Sequence, residues 1–134
     1  MIGVLIVTHG DIGTSLLTSA TQILGGEQKQ VATLSVWRAD DIDDLVLRAR
    51  ELMESLDSGD GVLVLTDIFG ATPGNVVSRL LEDGRIEGVS GASLPMLLRV
   101  LTGRNGSLSA AVKRALSGGA EGVVHMNNDR CCDA

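Results

Sequence analysis

The 134-residue sequence predicts a single-domain α/β fold built on a mostly parallel, doubly wound sheet. Three observations point there. Short apolar runs alternate with longer segments of helical period. The first and third runs, GVLIV and VLVL, are continuously apolar, as in strands buried on both faces. The 17 glycines cluster where these segments end, so they read as chain reversals.

The elements follow in order. Strands are expected over residues 3–7, 32–37, 62–66, 86–90 and 122–126. A first helix is expected over about residues 14–24, stopped by Gly25 and Gly26. In the second, Ile42, Leu45, Ala49, Leu52, Met53 and Leu56 share one face, while Asp40, Asp41, Asp43 and Asp44 crowd the amino end, where the helix dipole favours anions. A third follows Thr72 as N-cap, with Pro73 in its first turn, and ends at Gly84. A fourth begins near Pro95 and includes Met96. The last starts at Ser107, with Leu108, Ala111, Val112, Ala115 and Leu116 in register, and stops at Gly118 and Gly119.

Composition excludes several function classes. Eleven basic residues against seventeen acidic ones give a charge of −6, which repels nucleic acid and anionic lipid. The arginines are scattered, and with one Trp and one Phe there is no aromatic series to stack on bases. The amino-terminal MIGVLIV lacks the basic region of a signal peptide, and no apolar run is long enough to span a bilayer. Cys131 and Cys132 are adjacent, which suits neither a disulfide framework nor a metal site. A cytoplasmic protein with reduced, dispensable cysteines is expected.

In a parallel sheet, reactive groups gather beyond the carboxyl ends of the strands, where the strand order reverses. With order 2-1-3-4, the first and third strands are neighbours, and His9 and Asp67 face each other across that crevice. A carboxylate bonded to one ring nitrogen fixes the tautomer and leaves the other nitrogen nucleophilic. Gly10 and Gly13 open the backbone near a helix amino end that favours a phosphoryl group, with Thr8 and Thr72 as hydroxyl donors. Simpler roles stay open at this stage: a hydrogen-bonded structural histidine, a turn-capping aspartate, a helix N-cap at Thr72. His125 reads as structural, and Asp40 to Asp44 as a solvated helix start.

Other phosphate chemistries fit less well. A response-regulator receiver needs acidic residues where His9 stands and a lysine after the last strand. A histidine phosphatase needs an arginine where Thr8 stands, to clamp phosphate in bidentate fashion. One His with one Asp offers too few ligands for zinc.

The stretches VTHG, LTDIFGATPGN and GASLPMLLRVL, in this order and each at an expected strand end, resemble the IIA component of the mannose family of the bacterial sugar phosphotransferase system. The resemblance covers nearly the whole chain, taken as a domain over residues 1–128 with a tail over 129–134. It implies a phosphocarrier whose His9 accepts a phosphoryl group from the phosphohistidine of the system's carrier protein and hands it to a IIB component. It further implies that Asp67 holds the ring and that Thr72, often Ser in the family, bonds near the phosphoryl group. Thr8, Gly10, Gly70 and Ala71 are expected around that group, and Ile12, Phe69, Leu94 and Met96 on the partner-binding rim. Ile68 is a further member of that rim.

The resemblance also implies a homodimer formed through an antiparallel edge strand, here residues 122–126. It leaves room for peripheral association with a transporter complex. No metal or organic cofactor follows. Relatives are often fused to a IIB domain, whereas this sequence ends in NNDRCCDA, so a separate subunit is expected. A regulatory IIA-like module whose phosphorylation state controls a partner protein is the alternative, and a phosphate-ester hydrolase using His9 is a third reading.

Overall fold

A computed structural model describes residues 1–128. Its elements run β1 (Gly3–His9), α1 (Ile12–Leu24), β2 (Val31–Val36), α2 (Ile42–Leu56), β3 (Val62–Thr66), α3 (Thr72–Ser78), β4 (Ile86–Ser90), α4 (Leu94–Leu101) and α5 (Leu108–Glu121). The four strands form one parallel sheet in the order β2-β1-β3-β4. β1 and β3 are therefore the inner strands, which explains their unbroken apolar runs.

Alternation along β1 divides the core into two layers. Leu5 and Val7 pack with Leu34 and Val64 under Leu45, Ala49 and Met53 of α2 and Val76 and Val77 of α3. Val4 and Ile6 pack on the other face with Leu63 and Leu65, covered by Ala20 of α1, Leu97 and Val100 of α4 and Ala111 and Ala115 of α5. Each fully buried aliphatic side chain contributes about 1.5–3 kcal/mol, so the two layers clamp β1 and β3 in register. Rigid inner strands hold their carboxyl ends at a fixed separation.

Several boundaries differ from the sequence reading, each for a local reason. α1 begins at Ile12, two residues early, because the buried Thr8 hydroxyl accepts the Gly13 amide at 2.8 Å and satisfies that first-turn donor. The N-cap of α3 is Ala71, with Thr72 as the first helical residue. That helix stops at Ser78 because the chain turns over residues 79–85 into an antiparallel bridge between Glu82 and Ile86. α5 runs straight through Gly118 and Gly119 to Glu121. These glycines are close-packing positions, since a β-carbon at Gly118 would stand 2.7 Å from Arg99 Cβ of α4.

The antiparallel strand expected at residues 122–126 is not formed. Gly122 caps α5, and the following residues are irregular and then turn, with Val123, Val124 and Met126 exposed. The end of α5 delivers the chain against Pro95, where a Gly122 β-carbon would lie 2.5 Å from Pro95 Cβ, so the segment leaves from α4 instead of lying along β4. The tail over residues 129–134, with Cys131 and Cys132, lies outside the described residues.

Candidate active site

His9 is the last residue of β1 and Asp67 the first after β3. Val7 and Thr66 are register partners, so the two strand ends lie side by side. Asp67 Oδ2 is 2.8 Å from His9 Nδ1 and also accepts the His9 backbone N–H at 3.2 Å. One oxygen thus holds both the ring and its root. The Thr66 hydroxyl donates weakly, at 3.5 Å, to the other oxygen. The Asp67 side chain is 12% exposed and that of His9 48% exposed, which places the carboxylate beneath the ring and leaves the ring open to solvent.

Partial burial pushes the Asp67 carboxyl up, but the hydrogen bonds from the His9 ring and amide, with the attraction of the imidazolium, outweigh it and hold Asp67 below the ordinary carboxylate range. The ionised carboxylate can only accept, so the neutral imidazole has its proton on Nδ1. Its Nε2 lone pair then faces away from Asp67. This is the electronic state of a nucleophile.

The neighbouring loops are shaped by glycine. Gly10 takes φ +49° and its amide donates to Val36 O at 2.9 Å, so it turns the chain away from the sheet without offering a free donor. Gly70 takes φ +88° and is exposed, bringing the loop after Asp67 round to Ala71. The amino end of α3 has no side-chain cap, and the exposed Thr72 hydroxyl makes no hydrogen bond among the described residues. Thr8 is a correction: its hydroxyl is turned inward to Gly13 and does not reach the surface.

Exposed apolar side chains stand on the segments that follow His9 and Asp67. Phe69 is 81% exposed, and Ile12 and Ile68 stand about half out of the protein. Met96 does not join them: it is 3% exposed and packs into the second core layer, its Cε 2.9 Å from where a Gly119 β-carbon would be. Leu94 is half-buried against the same layer. The sequence reading passed over Trp37, which is 57% exposed beside the site. His9 and Val36 are register partners, so the residue after Val36 emerges next to the histidine, and a Gly10 β-carbon would stand 3.2 Å from Trp37 Cζ3. The signal was available, since β2 is the other neighbour of β1 in the strand order and Trp37 is the residue that leaves its carboxyl end.

Residues 3–116 match the family model described as the PTS system fructose IIA component, of EIIA-man type. The chain belongs to the mannose-type EIIA family of the phosphotransferase system. It is 33% identical over 125 residues to the mannose-specific EIIAB component of Escherichia coli (strain K12), a match covering 91% of this chain and 38% of that protein. The chain thus spans well under half the length of that relative. It is 34% identical over 103 residues to the fructose-specific EIIA component of Bacillus subtilis (strain 168), covering 76% of this chain and 70% of that one.

The solved structure of phosphotransferase system component EIIA from Streptococcus agalactiae aligns over 96% of this chain and 99% of its own, with a TM-score of 0.84 and 27% identity. The mannose/sorbose specific IIA subunit from Enterococcus faecalis shares the fold, with a TM-score of 0.82 over 92% of each chain at 20% identity. In this mannose-type EIIA chain, no helix among the described residues is long and apolar enough to cross a membrane.

Proposed function

We propose that His9 accepts a phosphoryl group on Nε2 from the phosphohistidine of a small carrier protein and passes it to a IIB component. The observation behind this reading is the 2.8 Å contact that ties up Nδ1 while the ring stands open. Nε2 attacks phosphorus as the donor's nitrogen–phosphorus bond breaks. The electron pair of that bond stays on the donor imidazole, and the positive charge that develops on the His9 ring is stabilised by Asp67. Exchange of one histidine phosphoramidate for another is close to isoenergetic, so positioning is the main requirement and no metal ion or organic cofactor is called for.

Gly70, Ala71 and Thr72 supply the donors for the phosphoryl oxygens, at an uncapped amino end and an unpaired hydroxyl. Ile12 and Phe69 form the apolar rim that partner proteins cover. The protein works in the cytoplasm as a homodimer. Residues 122–126 supply the contact, because their exposed valines and methionine pair with no strand among the described residues of their own chain, and β4, an edge strand of the sheet, is open to a second copy.

The test is to mix the protein with phosphoenolpyruvate, the first enzyme of the system and its carrier. One acid-labile, base-stable phosphoryl group per chain is expected, and none in His9→Ala. Turnover of a small phosphate ester without those proteins would replace this reading with a hydrolase. Labelling with no transfer to any IIB component would replace its second half with a regulatory role.

A further inference from the structure

The geometry points to Trp37 as a recognition residue for the phosphorylated donor, a protein that presents a basic side chain beside its phosphohistidine. This rests on the proposed phosphocarrier role. Trp37 is the single tryptophan of the chain and is more than half exposed to water. It is not loosely held. Its backbone N–H donates to Asp40 Oδ2 at 2.8 Å, its carbonyl accepts the Asp40 amide at 3.0 Å, and one edge of the ring lies against Gly10. A large ring on an anchored backbone, lying against Gly10 directly after His9 and open on its other side, is preorganised for contact.

The charge around it specifies the occupant. The loop that leaves Trp37, past the exposed Arg38, opens onto a hollow of about 530 Å³ that runs from Ala39 to Glu51 and is lined by four carboxylates, those of Asp40, Asp41, Asp44 and Glu51, with the guanidinium of Arg48 among them. The whole chain has a charge of −6. A phosphoryl dianion arriving at this rim meets like charge, so the molecule that brings it must supply the compensating cation. A guanidinium or ammonium lying over the Trp37 face and against these carboxylates gains both cation–π and ionic attraction.

The experiment compares two donors for the same His9: the phosphorylated carrier protein, and phosphoramidate, a small molecule that needs no docking surface. Trp37→Ala is expected to raise KM for the carrier by about tenfold or more, with kcat and the phosphoramidate rate altered by less than about twofold. Trp37→Phe should recover most of the loss. Asp44→Lys, on an exposed side chain that caps nothing, should raise the same KM, and added salt should weaken the wild-type reaction with the carrier but not with phosphoramidate. An unchanged KM in both variants overturns the inference. So does a fall in the phosphoramidate rate of Trp37→Ala that matches the fall with the carrier, because Trp37 would then only prop Gly10 and His9. Failure of the underlying role shows elsewhere, as a wild-type protein that the carrier does not label at all.

Discussion

A single oxygen, Asp67 Oδ2, holds His9 twice, at the ring through Nδ1 at 2.8 Å and at the backbone through N–H at 3.2 Å. The ring therefore cannot turn without breaking a bond anchored next to its own Cα. The same oxygen decides which nitrogen faces solvent and stabilises the cationic ring.

Asp67→Asn tests that relationship through rate. An amide oxygen can accept from Nδ1 but has no charge with which to balance an imidazolium. Phosphoryl transfer from the carrier should slow by about one to two orders of magnitude while circular dichroism and Tm change little. An unchanged rate would reduce Asp67 to a turn residue.

The pH dependence of stability tests it through linkage. The Asp67 carboxyl titrates lower in the folded chain than in the unfolded one. Its contribution is therefore complete above the ordinary carboxylate pKa and is lost as pH falls through that range to the depressed folded value. Urea unfolding from neutral to acid pH should show the wild type losing stability over this window more steeply than Asp67→Asn. Parallel curves would contradict the assignment.

Thr8→Val tests the buried hydroxyl. The substitution keeps the shape but leaves the Gly13 amide without its 2.8 Å acceptor at the start of α1. A loss of about 1–3 kcal/mol in unfolding free energy is expected. Labelling of the folded protein should persist, because the hydroxyl does not reach the groove.

Two adjacent glycines of α5 should respond differently to alanine. Alanine is the better helix former by about 1 kcal/mol. At Gly118 the added methyl meets Arg99 Cβ at 2.7 Å and the backbone of Met96 at 3.3 Å, so Gly118→Ala should destabilise by about 1–3 kcal/mol. At Gly119 it meets only the terminal methyl of Met96 at 2.9 Å, the far end of a flexible side chain, so Gly119→Ala should be neutral or stabilising. Thermal melts of both variants check this.

Those glycines show where sequence reading reaches its limit. The strand order and the meeting of His9 with Asp67 were legible, because unbroken apolar runs mark inner strands and both residues stand where such strands end. Helix-terminating glycine and interior packing glycine look alike in one dimension, and only the approach of α4 distinguishes them. Met96 was misplaced for a related reason: Ser93 caps α4 by accepting the Met96 amide, which turns Pro95 outward and Met96 into the core. Trp37 went unread because it looked like the last residue of a strand, whereas the strand stops at Val36 and the ring leaves the sheet. Residues 122–126 have a strand's composition, but a strand also needs an edge, and composition does not say which molecule supplies it.

The central claim is that the His9 nitrogen facing away from Asp67 takes the phosphoryl group. Nitrogen-15 NMR of the protein labelled by phosphoenolpyruvate, the first enzyme and the carrier reads this directly. The expected spectrum has phosphorus bonded to Nε2 of His9, with Nδ1 still protonated. Phosphorus on Nδ1, or on His125 instead, would contradict the account.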